Sequence, residues 1–274
     1  MDNSNVLTAL LLTVFAGLAT GIGSTIAFIA RRTNTKLLTV SLGFSAGVMI
    51  YISFVEIFAE AKEGFMEIFG EFRGNLFALT SFFGGILLIA LIDRFIPSFE
   101  NPHEMRSLEE LKKRDKDKNH DKLYRMGIFT ALVVAIHNFP EGIATFMTAM
   151  NDPAMGIAIA IAVAIHNIPE GIAVSVPIFY ATGDRKKAFL YSFLSGLAEP
   201  VGALLAYLLL MPLLTAGNTE IIFASVMAAV AGIMVFISLD ELLPSAEEYG
   251  EHHWGIYGLI GGMAVMAVSL LLIG

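Results

Sequence analysis

Long apolar runs separated by short polar breaks dominate the chain. Eight of them fall at about 6–30, 37–60, 75–96, 126–150, 154–180, 187–211, 220–243 and 254–273. A hydrocarbon core about 30 Å thick takes roughly 20 apolar residues of helix to cross, and the runs match that length. They are continuous and rich in Gly, Ala, Leu and Ile. Short alternating strands are absent from them, so helices rather than a closed barrel satisfy the backbone. The pattern predicts an all-α integral membrane protein with eight transmembrane helices in a single transmembrane domain over 1–274. A charged loop over about 97–125 separates the third run from the fourth and nearly lacks apolar residues after Leu111. Such a segment cannot bury a core.

Composition agrees with the pattern. Of 274 residues, 56% are hydrophobic and 15% charged, with mean hydropathy +0.72; soluble domains are about a quarter charged. The absence of cysteine excludes disulfides, thiolate zinc sites and thiol nucleophiles. A net charge of −8 offers no surface for nucleic acid. Only Asp2 is charged before the first run, which reads as a span and not a cleaved signal. Under alternation, one side of the membrane receives 15 of the 17 Lys and Arg, and the other receives only Lys62 and Arg73. The positive-inside bias then places both termini outside.

Two repeats organise the chain. His137-Asn138-Phe139-Pro140-Glu141-Gly142 recurs 29 residues later as His166-Asn167-Ile168-Pro169-Glu170-Gly171. Separately, Ala46 to Glu56 in the second run resembles Ala231 to Glu241 in the seventh at a constant offset of 185. The members of each pair cross the membrane in opposite directions. Runs 1–3 therefore read as an inverted counterpart of runs 6–8, with runs 4 and 5 between them. Inverted repeats framing a mid-membrane site are typical of transporters.

The duplicated phrase carries the chemistry. Positions i and i+4 share a helical face, so His137 projects with Glu141 and His166 with Glu170. Asn138 and Asn167 lie within i+3 of the same glutamates. Pro140 and Pro169 remove a backbone donor and are expected to kink each helix. Imidazole with carboxylate suits zinc, iron, manganese or nickel, and amide oxygens add harder ligation. Glu199, four residues after Ser195 and beside Pro200, is a third carboxylate for the site. A central charged side chain costs about 2.5–3.5 kcal/mol on insertion scales. Three ionised glutamates would then cost on the order of 8–10 kcal/mol unless protons, water or a metal compensate. No Lys or Arg lies in runs 4 to 6 away from their ends.

Other polar residues are less sharply placed. Glu56 and Glu241 lie toward the ends of runs 2 and 7 and read as path or interfacial charges. Met49, two turns before Glu56, is packing or a soft wall of the path. Asp93 beside Arg94 reads as a membrane-edge pair and is carried as an exit-path residue. His103, His120, His252 and His253 read as solvated. The many glycines, Gly43, Gly47 and Gly85 among them, imply close helix packing.

With these two phrases on consecutive spans, the chain resembles the ZIP (Zrt/Irt-like) family of divalent-metal transporters, in particular its bacterial ZupT-type branch. The resemblance implies a 3+2+3 helix bundle that moves Zn²⁺, and also Fe²⁺, Mn²⁺, Co²⁺ or Cd²⁺, toward the cytosol across the plasma membrane. It implies a binuclear centre between helices 4 and 5. His137, Glu141, His166 and Glu170 would hold one metal, and Asn138, Asn167 and Glu199 with the shared glutamates would hold or relay the other. Met49 and Glu56 match positions where the ion enters; Asp240 and Glu241 match positions where it leaves. The resemblance leaves room for a homodimer. An intramembrane metal hydrolase is the alternative class. It would need a base between two ligands, as in His-Glu-x-x-His, and no such segment exists. A channel-like conductor with the same ligands stays open.

Overall fold

A computed structural model describes residues 3–29, 35–95, 116–210, 212, 218–249 and 252–273, and the regular structure among them is helical throughout. Helix α1 is Asn3–Ile29. Helix α2 runs over Thr35–Ile52, through a π-helical turn at Ser53–Ile57, into Phe58–Phe69. Helices α3, α4 and α5 are Glu71–Phe95, Lys116–Asn151 and Pro153–Thr182. Helix α6 joins Arg185–Gly196 to Ala198–Leu205 and ends in a π-turn at Ala206–Leu210. Helix α7 joins Thr219–Ile237, a π-turn at Ser238–Leu242 and Leu243–Tyr249. Helix α8 is His252–Ile273.

Seven of these helices, all but α4, contain a described stretch long and apolar enough to cross a membrane. Helix α4 has 36 residues, about 54 Å at 1.5 Å per residue, which exceeds the hydrocarbon thickness. Its first turns correct one expectation. The charged segment expected as loop up to residue 125 is already helical from Lys116. Extending an existing helix costs far less than nucleating one, so the apolar part of α4 carries its charged leader with it. Residues 96–115, with His103, lie outside the described residues. Both Pro140 and Pro169 sit inside unbroken helices.

One residue, Asp152, separates α4 from α5. Its carboxylate accepts from the N–H groups of Ala154 and Met155 at 2.8 and 3.2 Å, and Pro153 takes the first helical position. This pairing of an acidic N-cap with proline at N1 starts a helix immediately. The two helices that carry the repeated phrase are therefore held antiparallel and in contact.

The eight helices pack as two groups. Helices α1, α4, α5 and α6 all contact one another, whereas in the second group α2 packs against α3, α7 and α8, and α3 packs against α7. The groups meet mainly where α2 and α8 touch α5 and where α7 touches α4. Close approach within each group depends on glycine. A Cβ on Gly171 would stand 2.0 Å from the carbonyl oxygen of Thr20 in α1, and one on Gly142 would stand 2.0 Å from that of Glu199 in α6. In the other group, Gly47 meets the Leu259 carbonyl of α8 and Gly232 meets the Phe82 carbonyl of α3, each at 2.0 Å. Large apolar side chains such as Leu7, Phe83, Leu87 and Leu271 face outward, as lipid contact requires.

Candidate metal centre

The centre forms where α4, α5 and α6 converge, and α2 closes it from the other group. Glu141 of α4 and His166 of α5 are each only 1% exposed. His166 Nε2 lies 3.0 Å from Glu141 Oε1 and 4.0 Å from Glu170 Oε1. The i,i+4 spacing puts Glu170 on the face of His166, and the antiparallel pairing brings Glu141 across from α4. Zinc bonds of about 2.0–2.2 Å to nitrogen and oxygen set tetrahedral neighbours roughly 3.3–3.5 Å apart. The two separations at His166 bracket that spacing.

A second polar group lies beside the first. Asn167 Nδ2 donates to the Ala16 carbonyl at 3.0 Å and also to the Glu199 carboxylate. Asn138 Nδ2 donates to the Ser195 carbonyl at 3.2 Å. Asn138, Asn167 and Glu199 are all fully buried. Each carboxamide is thus anchored by its nitrogen. Among the described residues, neither Asn138 Oδ1 nor Asn167 Oδ1 accepts a hydrogen bond. A buried carbonyl oxygen in that condition is expensive, and a cation is the partner that suits it. The final glycine of each repeat also finds its reason here. Gly142 lets α4 approach the backbone at Glu199, and Gly171 lets α5 approach α1.

Among the described residues no three His, Asp or Glu side chains form a compact metal-holding group. The side chain of His137, the remaining expected donor, lies outside the described residues. The sequence reading missed Ser45 of α2, whose hydroxyl donates to Glu170 Oε1 at 3.1 Å. A buried serine between Gly43 and Gly47 was the signal available for it.

The ZIP zinc transporter family profile matches residues 97–270. A zinc transporter ZupT of Lysinibacillus sphaericus is 64% identical over 271 residues, covering 99% of each chain. The chain belongs to the ZIP family. Other ZIP relatives are similar over the same length. A zinc transporter ZupT of Oceanobacillus iheyensis is 62% identical over 98% of this chain and 99% of its own. One from Clostridium perfringens is 60% identical over 99% of this chain and 98% of its own. ZIP proteins are transporters and not enzymes, which sets aside the hydrolase alternative.

The expected path positions fall in recognisable places on this ZIP chain. Met49 is fully buried in the main core. Glu56 lies in the π-turn of α2, and Asp240 lies in that of α7; both are half-buried. The side chains of Glu241 and Asp93 lie outside the described residues. A cavity of about 300 Å³ opens between the end of α2, the end of α4 and the start of α7. Glu60, Glu63, Glu67, Glu220, Met147 and Met150 contribute to its wall. At its rim Asn151 Nδ2 donates to Glu60 Oε1 at 3.0 Å. The sequence assigns none of these wall residues to the ion path.

Proposed function

We propose that the chain imports zinc into the cytosol of a bacterial cell across the plasma membrane, by alternating access through the centre between α4 and α5. The observation that carries this reading is the buried contact of His166 with Glu141 and Glu170, beside two nitrogen-anchored carboxamides. No Lys or Arg in the apolar parts of α4, α5 or α6 neutralises them. Their donor chemistry fits Zn²⁺ and extends to Fe²⁺, Mn²⁺, Co²⁺ and Cd²⁺. His137 completes the first set. Asn138, Asn167 and Glu199 form a second half that gives the centre room for two ions.

The packing supports an inverted-repeat, 3+2+3 arrangement. Under exchange of helices 1, 2 and 3 with 6, 7 and 8, and of 4 with 5, the α2–α8 pair becomes α7–α3. The α1–α5 pair becomes α6–α4, and all four pairs are in contact. The π-turns at Ser53–Ile57 and Ser238–Leu242 are also 185 residues apart. π-turns inside helices often mark functional positions. Here they carry Glu56 and Asp240, the path residues at which the ion enters and leaves, with Met49 and Glu241 beside them. Asp93 stands at the exit edge. Both termini face outside in this topology, and a second copy completes a homodimer.

Zinc uptake into reconstituted vesicles tests the reading. Glu141→Ala and Glu170→Ala should each lower the initial rate by at least tenfold at equal protein content. Competing Fe²⁺, Mn²⁺, Co²⁺ and Cd²⁺ should slow zinc entry. Wild-type uptake in both variants would overturn the site.

A further inference from the structure

A buried hydrogen bond joins the two helix groups at the metal centre. Ser45, fully buried on α2, donates its hydroxyl to Glu170 Oε1 at 3.1 Å. Every other described donor of the centre stands on α4, α5 or α6. Ser45 belongs to the opposite group, and its place there is fixed. A Cβ on Gly43 or Gly47 would lie 2.1 or 2.0 Å from the carbonyl oxygens of Gly255 and Leu259 in α8, so α2 cannot shift along α8 without a clash.

A hydroxyl in this position adds no charge. A carboxylate oxygen has two acceptor sites, so Glu170 Oε1 can take the Ser45 hydrogen bond and still face His166 Nε2 at 4.0 Å. The bond restrains rotation of the carboxylate and holds it on the imidazole side. When α5 moves relative to α2, Glu170 leaves with α5 and the hydroxyl stays behind. The position 185 residues after Ser45 is Val230, buried and without a hydroxyl. The support is therefore one-sided.

We propose that Ser45 is a positioning residue that raises the zinc affinity of the centre only while the two groups hold the present register, so that movement between them lowers affinity and speeds release. This rests on the metal-site and alternating-access reading above. Partners that orient a metal ligand change affinity by about 10–100-fold when removed.

The test uses the full chain. Zinc binding is measured by calorimetric titration in detergent, and uptake is measured in vesicles. Ser45→Ala should weaken zinc binding about tenfold and raise the half-saturation of uptake by a similar factor without lowering the maximal rate. Ser45→Thr, which returns a hydroxyl to the same place, should rescue both. Wild-type zinc affinity in Ser45→Ala, beside lost binding in Glu170→Ala, overturns the role of Ser45 and leaves the metal site standing. Equal weakening in Ser45→Ala and Ser45→Thr makes the effect one of packing and also overturns it. Undiminished binding and uptake in Glu170→Ala would instead overturn the underlying site.

Discussion

Asn167 uses both of its amide protons, one on the Ala16 carbonyl of α1 and one on the Glu199 carboxylate of α6. Those two acceptors decide which end of the amide is nitrogen, and its buried oxygen accepts no hydrogen bond among the described residues. Asn138 is anchored once, on the Ser195 carbonyl. The two sites therefore differ in what a leucine of similar volume removes. A buried hydrogen bond contributes about 0.5–1.5 kcal/mol net. Asn167→Leu removes two and should lower stability by about 1–3 kcal/mol, and Asn138→Leu, which removes one, by roughly half that. Thermal unfolding midpoints in detergent measure the difference, and equal shifts would contradict the assignment. The repeated phrase made Glu141, His166 and Glu170 readable before any coordinates, because i,i+4 spacing is a local property. It could not show that the carboxylate nearest His166 is Glu141 from the neighbouring helix, at 3.0 Å against 4.0 Å for Glu170. That choice depends on how α4 and α5 dock.

Among the elements, glycine decides which helices touch. Gly171 and Gly84 look alike in sequence, each inside an apolar run. A Cβ on Gly171 would meet the Thr20 carbonyl at 2.0 Å, whereas one on Gly84 would meet nothing within 4 Å. Gly171→Ala must push α5 off α1 and should abolish stable folded protein in detergent. Gly84→Ala should be neutral or gain up to about 1 kcal/mol from helix propensity. Monodispersity and melting of the two variants check the pair, and a well-folded Gly171→Ala would contradict the close contact. Sequence showed that glycines pack helices, yet it could not name the partner backbone, because the two helices concerned stand far apart in the chain. The apolar runs themselves were legible, since lipid-length helices are fixed by composition. The π-turns were not, because no local residue pattern marks an extra residue in a helical turn. The offset of 185 stands in the sequence repeat, but that both copies carry a π-turn there appears only once the turns have been located.

At the scale of the molecule, the glycines sort the helices into two bodies. Every described glycine whose Cβ position is crowded by another helix's backbone is crowded from within its own group. The surface between the groups lacks such interlocks, so one group can slide on the other without lifting its backbone over a neighbour. In the proposed cycle the donors of the candidate metal centre would travel with α4, α5 and α6, past a wall formed by α2 and α7. A bond across that surface should therefore stop transport, and a bond inside one group should not. The chain has no cysteine of its own, which makes the comparison clean. Glu60→Cys with Asn151→Cys replaces a pair that is hydrogen bonded at 3.0 Å between α2 and α4. Lys36→Cys with Trp254→Cys replaces a pair in which the ammonium lies 5.2 Å from the indole ring, within the α2–α8 packing. Closing the first pair with a short thiol-specific cross-linker that contains a reducible disulfide should cut zinc uptake by roughly tenfold or more relative to the same untreated variant. A reductant should restore it, as expected for a rate limited by large-scale closure and opening. The same reagent on the second pair should leave uptake in place. Transport that persists through the first cross-link would mean that the ion crosses without relative motion of the two bodies, and the alternating-access reading would give way to a fixed conduit.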